Sequence, residues 1–172
     1  AVALVKPIGV STQFVIADSV RIDSVFWDFN DPTTGSHDTS TSYSPSHLFS
    51  DTGTYNVKLI IWKCNIVDTV LHEVVVHPRP NTAFSINDTA QCLNENRFVF
   101  TNNTTIESGS VDYYHWDFGD GDTSNLTNPV HSYSAPGVYT IKLVATSDEG
   151  GKDSLSKSVR VIASQTSYFA TF

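Results

Sequence analysis

The stretch Tyr114-His115-Trp116-Asp117-Phe118-Gly119-Asp120 is written twice: Val25-Phe26-Trp27-Asp28-Phe29-Asn30-Asp31 matches it from 89 residues upstream. The two copies run on together. Pro45-Ser46-His47-Leu48-Phe49 answers Pro129-Val130-His131-Ser132-Tyr133 at an offset of 84. Gly53-Thr54-Tyr55-Asn56-Val57-Lys58-Leu59 answers Gly137-Val138-Tyr139-Thr140-Ile141-Lys142-Leu143 at the same offset, and 68–76 parallels 153–161 at 85. The step from 89 to 84 places a five-residue insertion in the first copy, within Pro32-Thr33-Thr34-Gly35-Ser36-His37-Asp38-Thr39, a loop by composition. A period near 85 is too long for a solenoid unit and right for a small domain. Two domains follow, 1–78 and 82–163, with a linker at 79–81 and a tail at 164–172. His77-Pro78-Arg79-Pro80-Asn81 holds two prolines, which restrict the backbone and predict a short, semi-rigid joint.

Each copy reads as a series of strands. Tyr139, Ile141, Leu143 and Ala145 alternate with Thr140, Lys142, Val144 and Thr146; Tyr55, Val57, Leu59 and Ile61 alternate in the same way. Short runs of period 2, separated by Gly, Pro, Asn and Asp, predict an all-β sandwich in each copy. Composition agrees. Of 172 residues, 21 are Ser and 19 Thr, and only 16% are charged, against about 25% in an average domain. The net charge of −8 divides into −3 for 1–80 and −5 for 81–172, so neither copy has the basic footprint of a nucleic-acid binder. No apolar run approaches the roughly 20 residues of a membrane-spanning helix, and no basic segment precedes a signal-type stretch.

Trp116-Asp117-Phe118-Gly119-Asp120-Gly121-Asp122, then Pro129-x-His131-x-Tyr133, then Pro136-Gly137-x-Tyr139-x-Ile141-x-Leu143, resembles the polycystic kidney disease (PKD) domain. The resemblance covers essentially the whole second copy and implies two tandem immunoglobulin-like β-sandwiches. The first copy departs from the pattern: Asn30 stands where Gly is usual, the second Gly of the turn is missing, and Asp51-Thr52-Gly53 replaces Pro-Gly. The resemblance to PKD arrays in bacterial surface proteins implies a non-catalytic spacer, adhesion or ligand-presenting role outside the cell, with protein or glycan partners. Two other readings stand beside it. One is a structural subunit of an extracellular filament or virion, self-associating through strand or patch packing. The other is an accessory module of a secreted hydrolase.

The motif residues have structural readings. Trp27 and Trp116 fall on inward positions and are expected as core pillars. Tyr55 and Tyr139 follow a Gly at the start of a late strand, which resembles the tyrosine corner of immunoglobulin-like folds. His47 and His131 match one another, so a shared hydrogen bond is expected. Asp117, Asp120 and Asp122 surround a Gly-rich turn, where short carboxylates accept backbone N–H bonds; the same three are candidate Ca²⁺ ligands, although their spacing is not that of an EF-hand. His72 and His77 fall on opposite faces of one strand, which argues against zinc. There is no nucleophile elbow, phosphate loop or HExxH, and of Glu73, Glu95, Glu107 and Glu149 only Glu73 sits on an expected strand. The chain is therefore read as no enzyme and as needing no cofactor. Cys64 falls in the turn between the last two strands of copy one, and Cys92 between the first two of copy two, so two free thiols are expected.

The copies differ most on their outward faces. Phe26, Ile60, Trp62, Leu71 and Val75 in the first copy correspond to His115, Val144, Thr146, Ser156 and Arg160 in the second. An apolar set on a solvated face marks either an interface or a surface covered by the chain's own residues 1–10 or its insertion. In the tail, Ser167-Tyr168-Phe169-Ala170 aligns with Thr82-Ala83-Phe84-Ser85, the expected first strand of copy two. It reads as the opening of a further domain or as a strand donated to a neighbour. Asn87, Asn102, Asn103 and Asn125 head glycosylation sequons.

Overall fold

The computed structural model describes residues 4–17 and 22–164. The chain separates into two compact units, the first running to Arg79 and the second from Pro80, with Glu149–Gly151 grouped with the first. Both are all-β sandwiches.

The first unit contains β1 (Leu4–Pro7), β2 (Thr12–Gln13), β3 (Ser24–Asp28), β4 (Thr39–Ser40), β5 (Ser46–His47), β6 (Gly53–Lys63) and β7 (Ile66–His77). One sheet has the order β1-β7-β6-β3-β4, and β2 pairs with β5 in the other. The second unit contains β8 (Phe84–Ile86), β9 (Ala90–Cys92), β10 (Phe98–Asn102), β11 (Val111–Asp117), β12 (Thr123–Ser124), β13 (Val130–His131), β14 (Gly137–Ser147) and β15 (Lys152–Ile162). Its large sheet, β9-β15-β14-β11-β12, repeats that of the first unit, and its small sheet has the order β13-β10-β8. Cys92 therefore ends a strand parallel to β15 rather than lying in a turn: β9 pairs Cys92 with Ile162, and the isolated-turn reading missed this short edge strand. Both cysteines are free and exposed.

Period 2 builds each core. Trp27 on β3 lies opposite Leu59 on β6, and Tyr55 opposite Val74 on β7, all facing inward. Phe14, Val25, Phe29, Phe49, Val57 and Val76 complete the first core. The second is built from Phe84, Phe98, Phe100, Trp116, Phe118 and Tyr133 over Ile141, Leu143, Val159 and Val161. Removing these side chains from water supplies on the order of 2 kcal/mol each.

Turn chemistry sets the registers. Cys64 and Asn65 both have positive φ, 48° and 67°, which gives a two-residue hairpin matched to strand twist and pairs Lys63 with Ile66. Gly119 has φ 80°, and a Cβ there would lie 2.7 Å from the Thr140 carbonyl oxygen. Asn30, its counterpart, also takes the left-handed region at φ 57°, which Asn tolerates better than most residues. The insertion is more ordered than its composition suggests. Pro32–His37 forms 3₁₀ turns that kink at Gly35. The Asp31 carbonyl accepts the Thr34 N–H at 3.0 Å and its hydroxyl at 2.7 Å, and the Asp38 carboxylate accepts the Asp31 N–H.

Candidate functional site

The Asp–His motif forms the same structure in both units. Asp31 is wholly buried at the end of the β3 turn; its Oδ2 lies 3.1 Å from His47 Nε2 and accepts the Ser50 N–H at 2.8 Å. Its Oδ1 accepts the hydroxyls of Thr33 and Ser50. Burial pushes the Asp31 carboxyl up, but the hydrogen bonds from Ser50, His47 and Thr33 outweigh it and hold the group below the usual value. In the second unit Asp120 Oδ2 lies 2.7 Å from His131 Nε2, and Oδ1 accepts the Asp122 N–H at 3.1 Å. Burial raises Asp120 too, and the His131 and Asp122 hydrogen bonds again win. Each imidazole stacks on a Phe ring at 4.2 Å, His47 on Phe29 and His131 on Phe118.

The other motif residues serve the same frame. Trp27 and Trp116 are buried, and each indole N–H reaches a backbone carbonyl at 2.9 Å, that of Ser42 or Leu126. The Tyr55 and Tyr139 hydroxyls each donate to the carbonyl four residues back, Asp51 and Ala135, at 2.9 Å. Tyr133, where the first copy has Phe49, donates to the Phe118 carbonyl at 2.9 Å; burial, then the Asp120 charge, pushes its hydroxyl far up.

The candidate calcium set is rearranged. Asp120 and Asp122 come together with His131, their ligand atoms within 4.8 Å of one another. Asp117 stands outside this group and accepts the Gly119 N–H at 2.9 Å. Both oxygens of the Asp120 carboxylate accept a hydrogen bond, from His131 and from the Asp122 N–H. Asp117 and Asp120 each accept the N–H two residues on, capping the turn.

The five apolar residues of the first copy all lie on the outer face of its large sheet. Phe26 is directly opposite Ile60, and Trp62 opposite Val67; Leu71, opposite Lys58, is diagonal to Ile60. Leu71 is 64% exposed, Val67 58% and Trp62 37%, while Phe26 and Ile60 are half-buried between them. Val75 stands apart, beyond the Asn56–Glu73 pair, and its neighbour is Val5 of β1. The sequence reading thus placed Val75 in a patch to which it is not contiguous and omitted Val67. Extending the β7 alternation two pairs back to the turn was the signal that finds Val67. β1 covers only the Val74–His77 end of β7, so residues 1–10 do not cover the patch among the described residues. The insertion borders a different feature, an open groove of about 610 Å³ lined by Ser11, Ser36, His37, Ser40 and Leu48. The tail strand, 167–170, lies outside the described residues.

Two sandwiches whose large sheets share one strand order, with one turn-locking Asp–His pair and one tyrosine corner each, define a tandem immunoglobulin-like module. The chain belongs to the PKD domain family, whose model matches residues 2–76 and again 78–163. It is 27% identical over 142 residues to collagenase ColA of Clostridium perfringens, a match covering 83% of this chain and 13% of that protein. It is 36% identical over 90 residues to collagenase ColA of Bacillus cereus, covering 51% of this chain and 9% of that protein. The chain thus spans a small part of the length of these relatives. Among solved structures, the PKD1 domain of the Vibrio cholerae metalloprotease PrtV is 28% identical, covers 49% of this chain and 98% of that one, and has a TM-score of 0.44.

Proposed function

We propose that the chain is a non-catalytic, extracellular contact module whose first sandwich packs on a protein or glycan through the outer face of its large sheet. The carrying observation is the exposed apolar row of Trp62, Val67 and Leu71, flanked by Phe26 and Ile60. The same face of the second copy is largely polar, with His115, Thr146, Ser156 and Arg160 around Val144 and Tyr113. The second copy then acts as the stiff spacer. The matches to collagenases support placement beside a secreted hydrolase, as an accessory module that holds the enzyme on a bulky substrate. In that setting the face meets a fibrous protein such as collagen, the substrate in those relatives' names.

Cosedimentation with fibrillar collagen and, separately, with insoluble chitin tests this. The chain should sediment with one of the two. Trp62→Ser combined with Leu71→Ser should weaken binding at least tenfold and leave the unfolding temperature unchanged, since both side chains point outward. Undiminished sedimentation of the double variant, or none of the parent chain with either material, contradicts the reading.

A further inference from the structure

The insertion of the first copy builds one wall of the open groove that β4 and β5 also line. Thr34, Ser36 and His37 of the insertion line it together with Thr39, Ser46 and Leu48. Its volume, about 610 Å³, lies within the roughly 300–1,000 Å³ of small-ligand sites. The wall is held by its own bonds. The Asp38 N–H donates to the Gly35 carbonyl at 3.1 Å, and the Asp38 carbonyl accepts the Phe29 N–H at 2.8 Å. Gly35, at φ 59°, supplies the kink that sets Ser36 and His37 after it. The second copy is five residues shorter here and turns through Gly119-Asp120-Gly121-Asp122 instead.

Among the described residues that line the groove, none is Asp, Glu, Lys or Arg. The nearby acids are used within the loop: Asp31 accepts from His47, Ser50 and Thr33, and Asp38 accepts the Asp31 N–H. Hydroxyl and imidazole groups remain. The hydroxyls of Ser36, Thr39 and Ser46 bond no group among the described residues. His47 is the second observation. It is 3% exposed, its ring is part of the lining, and its Nε2 is taken by Asp31. Its Nδ1 bonds nothing among the described residues. In a neutral imidazole whose Nε2–H donates to a carboxylate, Nδ1 carries the lone pair and accepts. A buried acceptor left without a donor is costly, and a ligand O–H removes that cost.

We propose that this groove binds an uncharged oligosaccharide. Hydroxyls both donate and accept, as those of a sugar do, so Ser36, Thr39 and Ser46 pair with a neutral sugar in either sense. His47 Nδ1 accepts one further sugar O–H. Leu48, 53% exposed, meets the C–H face of a ring. An anionic glycan finds no Lys or Arg in the lining, and it meets the Asp31 carboxylate behind His47. A cationic ligand finds no carboxylate in the lining to pair with. Every lining residue falls between Ser11 and Leu48, so the site belongs wholly to the first unit. It is separate from the row of Trp62, Val67 and Leu71, which stands on β6 and β7.

Backbone NMR of the full chain, titrated separately with cellohexaose, chitohexaose, mannohexaose and maltohexaose, tests it, with a heparin hexasaccharide as the charged comparison. At least one neutral sugar should shift the amides of 36–40 and 46–48 and leave those of 119–131 in place, and heparin should shift neither set. Ser36→Ala combined with Ser46→Ala should weaken that binding at least tenfold and leave the unfolding temperature unchanged, since both side chains are exposed. Trp62→Ser combined with Leu71→Ser should leave it unaltered. No shift at 36–40 and 46–48 with any of the four neutral sugars overturns the proposal. So does an affinity that Ser36→Ala with Ser46→Ala does not change, or a response to heparin alone. Shifts confined to β6 and β7, lost in Trp62→Ser with Leu71→Ser, assign the sugar to the outer face and overturn it equally.

Discussion

Asp31 and Asp120 occupy one role under different burial, and their substitution should separate accordingly. The Asp31 side chain is buried and accepts from His47, Ser50 and Thr33, whereas that of Asp120 is 20% exposed. Asp31→Asn leaves buried donors unmatched and should cost about 1–3 kcal/mol in urea unfolding, with Asp120→Asn costing less. Both carboxyls are held below their ordinary value, so each binds a proton less readily folded than unfolded. Their stabilisation is present above about pH 4, where the unfolded chain's aspartates ionise, and is lost as pH falls through the lower folded values. Unfolding followed from pH 6 down to pH 2 should show that acid loss, and it should shrink in Asp120→Asn. Thr12 makes a second residue-scale case. It is buried where the second copy has Phe98, and its hydroxyl has no partner. Thr12→Val removes an unmatched polar atom and should raise the unfolding temperature. The motif residues were legible in the sequence because they come in matched pairs, and a pair that survives divergence points to a shared local bond. The replacement of Asp117 by His131 beside Asp120 was not, since the partner arrives from β13, eleven residues away from Asp120 and across the turn.

At the scale of elements, alternation made the long strands readable and left the short ones hidden. β6, β7, β14 and β15 run for 11 or 12 residues, enough to show period 2. β1 and β9 have 4 and 3 residues and gain their identity only by lying parallel to β7 and β15. The 3₁₀ turns of the insertion were hidden for a related reason: their order comes from Asp31 and Asp38 bonding across the loop rather than from helical periodicity. The Asp-turn makes a sharp prediction for its glycine. Gly119→Ala sets a Cβ against the Thr140 backbone at a positive φ and should cost about 1–3 kcal/mol in chemical denaturation. Asn30→Gly, at the matching turn, should change stability by less than about 1 kcal/mol, because both residues tolerate the left-handed region.

For the molecule as a whole, the repeat explains the composition. The Ser and Thr excess belongs to outward strand positions and loops written twice around two aromatic cores. Divergence between the copies is where function enters, and it was only half legible. The apolar outer face could be read from alternating residues, but the opening beside Phe14 and Trp27 could not, because side chains of β1, β2, β3, β6 and β7 form it together. The central claim is that exposed apolar surface is concentrated on the first copy. Backbone NMR of the full chain titrated with the apolar dye 8-anilinonaphthalene-1-sulfonate tests it most directly. Shifts should cluster at Ile60, Trp62, Val67 and Leu71, with His115, Thr146 and Ser156 unmoved. Shifts spread evenly over both copies, or gathered on the second, would contradict it.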